Sequence, residues 1–385
     1  RNVLDLDDLI TRVIEAMRTD NAYVQAVRWR YRHLFIDEAQ DMNPLQYELF
    51  DAIRGQRSDV FVVGDPMQAI YGWNGSDKKL FDELPDKIRG TTVLHLPNNY
   101  RCSPHIVHAA RHVALQTGEA FEIEAVREDG PHIRIAGFDD EQEEADGIAS
   151  LLWQYAPTAG AHPWQSCAVL VRTNAQLPII EEAMKSAGIP FRVRGATPLL
   201  DQPEIKAALG DLRRTPRPFS DAIHDLALSV VVDDESESDR AAERRANLDA
   251  LVQMARDYMA IESPPTANGF FLWLTATTRA DQPDPNGDAV ELLTFHAAKG
   301  LEWPIVHLAG LEQGYVPIGH AKTAGAWSEE RRLFYVGVTR AMDQLYLCYP
   351  EFWPKAYSGD AFQIPSSFLH DFDPARVEEW NIRGF

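Results

Sequence analysis

Short runs of β-branched and aromatic residues alternate along this chain with segments of helical periodicity, and that alternation restricts the fold more than anything else in the sequence. Parallel strands need a crossover of a dozen or more residues, which a helix supplies, so the pattern predicts parallel α/β sheets. Strands are expected at 33–36, 60–63, 92–96, 133–136, 168–171, 191–194, 291–295, 305–308 and 345–349. Helices are expected at 141–154, 177–187 and 329–338. A further helix is expected over 239–259, where Leu248, Leu251, Val252, Ala255, Tyr258 and Met259 share one face. The acidic, serine-rich stretch 233–239 and the turn-forming stretch 282–288 read as linkers. Two α/β lobes follow, joined at 98–103, with a small helical insertion in the second.

The 385 residues suffice for two or more cores. A net charge of −21 argues against a surface coated for nonspecific nucleic-acid binding, while leaving room for a local basic or aromatic channel. Cys102, Cys167 and Cys348 are scattered, with no CxxC pair, and fit neither a disulfide framework nor a zinc site. No apolar run reaches membrane-spanning length and no signal segment opens the chain, so a reducing, cytoplasmic setting is expected. The chain opens on Arg1 and enters a helix-like segment at once, the expectation for a sequence that starts inside a longer protein.

The first strand ends abruptly in Asp37-Glu38-Ala39-Gln40-Asp41. Ligands of open parallel sheets gather at the carboxyl ends of strands. One carboxylate there can hold Mg²⁺ through its water shell while its neighbour orients and deprotonates an attacking water. A solvated strand end with a helix N-cap is the alternative that this segment alone leaves open.

The second strand exits into Gly64-Asp65-Pro66-Met67-Gln68-Ala69-Ile70-Tyr71-Gly72-Trp73. Glycine permits a tight turn, and Gln68 can report on a γ-phosphate by hydrogen bonding. Tyr71 and Trp73 offer flat faces for unpaired bases, about 1–3 kcal/mol per base. Core packing is the commoner fate of such aromatics. The glycine-flanked loop with Asn74 and Gly75 suits an exposed platform better.

At these residues the chain resembles the UvrD/Rep group of superfamily 1 DNA helicases. Residues 37–41 are similar to helicase motif II and 64–75 to motif III. Leu96-Pro97-Asn98-Asn99-Tyr100-Arg101-Cys102 is similar to motif IV, 293–303 (Leu-Thr-Phe-His-Ala-Ala-Lys-Gly-Leu-Glu-Trp) to motif V, and 332–341 (Arg-Leu-Phe-Tyr-Val-Gly-Val-Thr-Arg-Ala) to motif VI. Weaker likenesses lie at 4–9, 169–176 and 365–369. The resemblance implies two RecA-like (P-loop NTPase) parallel-sheet domains. The first, incomplete, would span 1–97; the second, 98–215 and 288–385, with a reduced 2B-like helical insertion at 216–287.

The resemblance also implies roles. Asp37 would hold Mg²⁺, Glu38 would activate water, and Gln68 would sense the γ-phosphate. Tyr100 would stack on adenine, Arg101 would reach the γ-phosphate, Glu302 would contact ribose, and Arg340 would be the second domain's arginine finger. An arginine delivered from a separate domain can be worth several powers of ten in rate. An ion-paired surface arginine is the alternative for Arg340 considered without its motif. Tyr71, Trp73, Thr294 and His296 would touch the DNA strand, although a lone histidine in an apolar strand is more often a satisfied core residue.

Phosphate cradling in this class needs a glycine-rich loop ending in GK[ST]. No such loop occurs between residues 1 and 385: Lys299-Gly300 and Lys322-Thr323 lack the preceding glycines. In the family that loop lies upstream of motif II, so these residues alone are expected to be inactive. Fewer than 90 residues separate 203–206 from motif V, where relatives carry a larger helical subdomain. The expected activity is ATP-driven 3′-to-5′ translocation on single-stranded DNA, with strand separation at junctions, serving repair or replication with other proteins. A RecB/AddA-like helicase–nuclease motor and a noncatalytic single-strand-binding subunit are the alternatives.

Overall fold

The computed structural model describes residues 6–72, 75–118, 122–155, 163–194, 202–215, 217–232, 264–280, 287–350 and 364–379. It also describes scattered residues between 244 and 259 and a strand pair at 352–353 and 361–362. The chain divides into two compact units, Arg1–Pro97 and Asn98–Phe385.

In the first unit, α1 (Leu6–Thr19) and α2 (Asn21–Arg30) precede β1 (Leu34–Ile36). Next come α3 (Pro44–Arg54), β2 (Val60–Val62) and two short helices, α4 (Lys78–Asp82) and α5 (Leu84–Lys87). β1 and β2 pair in parallel, Leu34 opposite Val60 and Ile36 opposite Val62. A reciprocal cap between Asn43 and Gln46 starts α3, with Pro44 in its first turn, and Gly55 (φ 62) ends it. Ala39, Met42, Phe50, Leu84 and Ile88 form a small core against one face of the strand pair. The other face carries Phe35 and Phe61, both exposed, with ring centroids 5.8 Å apart. Residues 92–96, expected as a strand, are not one: Val93, Leu94 and Leu96 are exposed. Strand propensity reports fit to a neighbouring strand, and among the described residues this stretch pairs with none.

The second unit opens with β3 (Asn98–Asn99), α6 (Pro104–Leu115) and β4 (Glu124–Ala125), the two strands paired in parallel. Then follow β5 (Ile133–Phe138), α7 (Glu141–Tyr155), β6 (Cys167–Val171), α8 (Leu177–Ala187) and β7 (Phe191–Val193). The helices α9 (Pro203–Arg214), α10 (Phe219–Val232) and α11 (Ala267–Ala280) intervene before β8 (Val290–Thr294), β9 (Trp303–Leu308), α12 (Ala324–Val338) and β10 (Ala341–Pro350). The main sheet has seven strands in the order Val377–Glu379, β5, β10, β9, β6, β8, β7. Every neighbouring pair in it is parallel. β6 is buried along its whole length, as a central strand covered on both faces must be. The three cysteines are free and buried.

Ile205, Leu209, Phe219, Leu251, Tyr258 and Phe270 build a separate core for the insertion. Its first contributor lies on α9, so the helical subdomain starts ahead of residue 216. The face expected over 239–259 is present where described, with Leu251, Val252, Ala255 and Tyr258 buried. The stretch 233–239 and most of 282–288 lie outside the described residues.

Candidate functional site

In the first unit the chemistry gathers at the carboxyl ends of β1 and β2. Val63 N–H donates to the Ile36 carbonyl (2.8 Å) and Ala39 N–H to the Val63 carbonyl (3.0 Å), so the two strand exits run side by side. Asp37 and Glu38 are exposed, and Asp37 Oδ1 accepts the Glu38 N–H at 2.9 Å. Glu38 adopts φ 52, ψ 40, the one non-glycine in the left-handed region among the described residues. Such a backbone costs on the order of 1–3 kcal/mol and persists only where its surroundings hold it.

Gln40 meets the Glu38 carboxylate. It is fully buried; its Nε2 donates to Glu38 Oε2 at 2.6 Å and its Oε1 accepts the Asp65 N–H at 3.0 Å. A Cβ added to Gly64 would lie 2.7 Å from Gln40 Oε1, so glycine leaves the amide its room. Asp65 Oδ1 accepts the Met67 N–H at 2.9 Å and Oδ2 accepts Gln68 Nε2 at 2.8 Å. Met67 and Ile70 are fully buried and pin the loop from below. A cleft of about 430 Å³ beside the carboxylates is lined by Asp37, Glu38, Asp41, Gln46 and Phe50, among others.

Tyr71 does not form the exposed platform expected of it. Its ring is half-buried, and burial, followed by the nearby Asp41 and Glu38 carboxylates, raises the phenol pKa. Trp73 lies outside the described residues.

In the second unit a different edge carries the charged residues. Glu302 immediately precedes β9 and Arg340 immediately precedes β10, so both stand at the amino ends of parallel strands. Trp303 N–H donates to the Arg340 carbonyl at 2.9 Å, tying the two starts together. Arg101 Nε forms an ion pair with Glu302 Oε2. Arg340 is 1% exposed, which rules out the surface-arginine alternative. Its guanidinium donates to the Val336 carbonyl (3.0 Å), the Leu301 carbonyl (3.0 Å) and Thr339 Oγ1 (3.1 Å). Burial, with the Arg101 charge second, pulls its pKa down to about 10, still fully charged at neutral pH.

The segment before α6 is stitched to the same place. Asn99 Oδ1 accepts the N–H groups of Arg101 (3.0 Å) and Cys102 (2.8 Å), and Ser103 N–H donates to the Met342 carbonyl at 2.8 Å. Arg127 Nη1 donates to the carbonyls of Arg101 (2.6 Å) and Met342 (3.0 Å), and Nη2 pairs with Asp343 at 2.5 Å. Tyr100 is 70% exposed, its ring available for stacking. The structure thus brings Arg101, Glu302 and Arg340 together. Thr294 and His296 belong to the opposite edge, at the carboxyl end of β8 and just beyond it. Both are half-buried, and Thr294 Oγ1 accepts the Ala297 N–H at 3.3 Å.

Sequence reading missed Gln40 and Arg127. Gln40 was visible inside the acidic motif but gave no sign of which way its amide would reach. Arg127 follows no motif, and its signal exists only in three dimensions. The buried two-pronged pair of Arg172 with Glu330 (2.7 and 3.1 Å) was also missed.

These parallel sheets and motif positions define a RecA-like α/β protein. The UvrD/REP helicase N-terminal domain family matches residues 1–89, and the UvrD-like helicase C-terminal domain family matches 94–231 and 219–351. The chain belongs to the UvrD/Rep helicase family. It is similar to ATP-dependent DNA helicase UvrD2 of Mycobacterium tuberculosis, 34% identical over 97% of this chain and 55% of that protein. DNA helicase II of Escherichia coli is 26% identical over 99% of this chain and 64% of its own length. ATP-dependent DNA helicase PcrA of Bacillus subtilis is 27% identical over 89% and 58%. The chain therefore spans a little over half the length of these relatives. No helix among the described residues is long and apolar enough to cross a membrane.

Proposed function

We propose that the chain is the motor part of an ATP-driven DNA helicase that translocates 3′ to 5′ on single strands and opens duplex at a junction. The observation that carries this reading is the pair at the end of β1: Asp37 and Glu38 side by side, with the Glu38 carboxylate accepting from buried Gln40.

Glu38 is the base for the hydrolytic water, and Gln68, whose amide is steered by Asp65, senses the γ-phosphate. Arg101 and Arg340 meet the charge that builds on the phosphoryl oxygens, where an arginine is worth about 10³–10⁵ in rate. Arg340 already directs three of its five N–H donors at protein acceptors, which fixes the plane of its guanidinium. Exposed Tyr100 stacks on the base and Glu302 contacts the ribose. Thr294 and His296, half-buried at and just beyond the carboxyl end of β8, contact the DNA strand.

Asp37 suits Mg²⁺ as a hard, exposed oxygen donor. No group of three or more His, Cys, Asp or Glu among the described residues forms a metal site. A single carboxylate fits an ion that keeps most of its waters and takes the rest of its ligands from nucleotide phosphates. When bound, such an ion would neutralise charge on the nucleotide phosphates.

The test is Glu38→Gln in the full-length protein. ATP binding, read by a fluorescent analogue, is expected to persist while DNA-stimulated phosphate release stops. Wild-type protein without DNA-stimulated hydrolysis would overturn the reading.

A further inference from the structure

Between the residue assigned to water activation and the residue assigned to phosphate sensing runs an unbroken line of hydrogen bonds. Glu38 Oε2 accepts from Gln40 Nε2, Gln40 Oε1 accepts from the Asp65 N–H, and Asp65 Oδ2 accepts from Gln68 Nε2, at 2.6, 3.0 and 2.8 Å. Each of the three links crosses between, or stays within, two adjacent strand exits. We infer that Gln40 is a positioning residue that couples the loop after β2 to Glu38, so that the state of that loop sets where the base points. This inference rests on the function proposed above.

Three features make the line a coupling device in addition to a fold contact. Gln40 is fully buried, so its amide has no water to turn to, and breaking either bond leaves a buried polar group unsatisfied. Glu38 occupies a backbone region that a non-glycine leaves readily once its tether goes. A shift of the loop on engaging a strand therefore reaches Glu38 through Gln40. Gly64 belongs to the same device, because a side chain there would collide with Gln40 Oε1 and Phe81.

The amide has two separable halves. Gln40→Glu keeps an oxygen to accept the Asp65 N–H and loses the donor to Glu38; Gln40→Met loses both. Amide exchange over residues 60–68, measured by mass spectrometry, reads the Asp65 link without any catalysis. Protection at Asp65 is expected to survive in Gln40→Glu and to fall in Gln40→Met. In the full-length protein, both variants are expected to lower the ratio of DNA-stimulated to basal kcat by about tenfold, the equivalent of one hydrogen bond to a charged group, with KM for ATP little changed. A purely structural Gln40 would depress basal and stimulated rates together in Gln40→Met and leave the ratio at its wild-type value. That result, or Gln40→Glu with a wild-type ratio, overturns the coupling role. Wild-type protein that hydrolyses ATP no faster with DNA overturns the proposed function instead.

Discussion

Arg101 and Glu302 are paired to each other, although the family resemblance sends one to the γ-phosphate and the other to the ribose. Both side chains are partly exposed, so the pair contributes at most about 1 kcal/mol to stability. Nucleotide binding has to trade this contact for two others. Glu302→Gln is expected to leave the melting temperature nearly unchanged and to raise KM for ATP several-fold. A large drop in melting temperature would show instead that the pair is structural.

Arg340 makes the opposite prediction, because it is buried and its donors hold two main-chain carbonyls and a hydroxyl. Arg340→Lys keeps the charge but reaches at most one of those acceptors. Stability of the second unit is expected to fall by roughly 1–3 kcal/mol for the acceptors left dry, and kcat by about 10³ or more. Chemical denaturation and steady-state hydrolysis measure the two losses separately. A variant that melts normally yet lacks activity would confine the role to the phosphate.

How far such sites could be read beforehand follows from which signals are local. The Asp37–Glu38 exit, the Gly64 turn and most strands of the large sheet were legible because apolar runs and turn residues sit together in sequence. Asp37 and Glu38 stand at the carboxyl end of β1, whereas Glu302 and Arg340 stand at the amino ends of β9 and β10, a placement that no local pattern signals. Residues 92–96 misled because exposed Leu94 and Leu96 carry strand composition without a strand beside them. Tyr71 was placed on the surface from its glycine neighbours, while the pull of buried Met67 and Ile70 on the same loop left no trace in the local pattern. The reach of Gln40 to Asp65, 25 positions away, is a tertiary fact.

Tyr100 is the simplest residue to isolate, since 70% of it is exposed and Asn98 Nδ2 touches only its hydroxyl, at 3.4 Å. Tyr100→Ala is expected to weaken ATP binding about five- to 150-fold, the range for a stacked base, without altering the melt. Tyr100→Phe is expected to bind as the wild type does. Equal weakening in both variants would assign the effect to the hydroxyl and remove the stacking role.

Two buried carboxyls outside motifs II to VI make the stability of the fold depend on pH. Glu144, buried on α7, accepts the Gly310 N–H at 2.8 Å, and burial pushes its pKa up to about 8. Glu312, 2% exposed, is pushed up to about 8 as well, by burial first and then by the charges of Glu144 and Glu141. The native state therefore keeps protons that the unfolded chain releases near the ordinary glutamate value of 4.5. Stability must fall as pH rises from there through about 8, because over that window the native state binds more protons than the unfolded one. Glu144→Gln retains an oxygen for Gly310 and cannot ionise. Its melting temperature is expected to match the wild type near pH 5 and to exceed it near pH 8, with a shallower slope between. Parallel melting curves for the two proteins across that range would show that Glu144 is already ionised in the folded state.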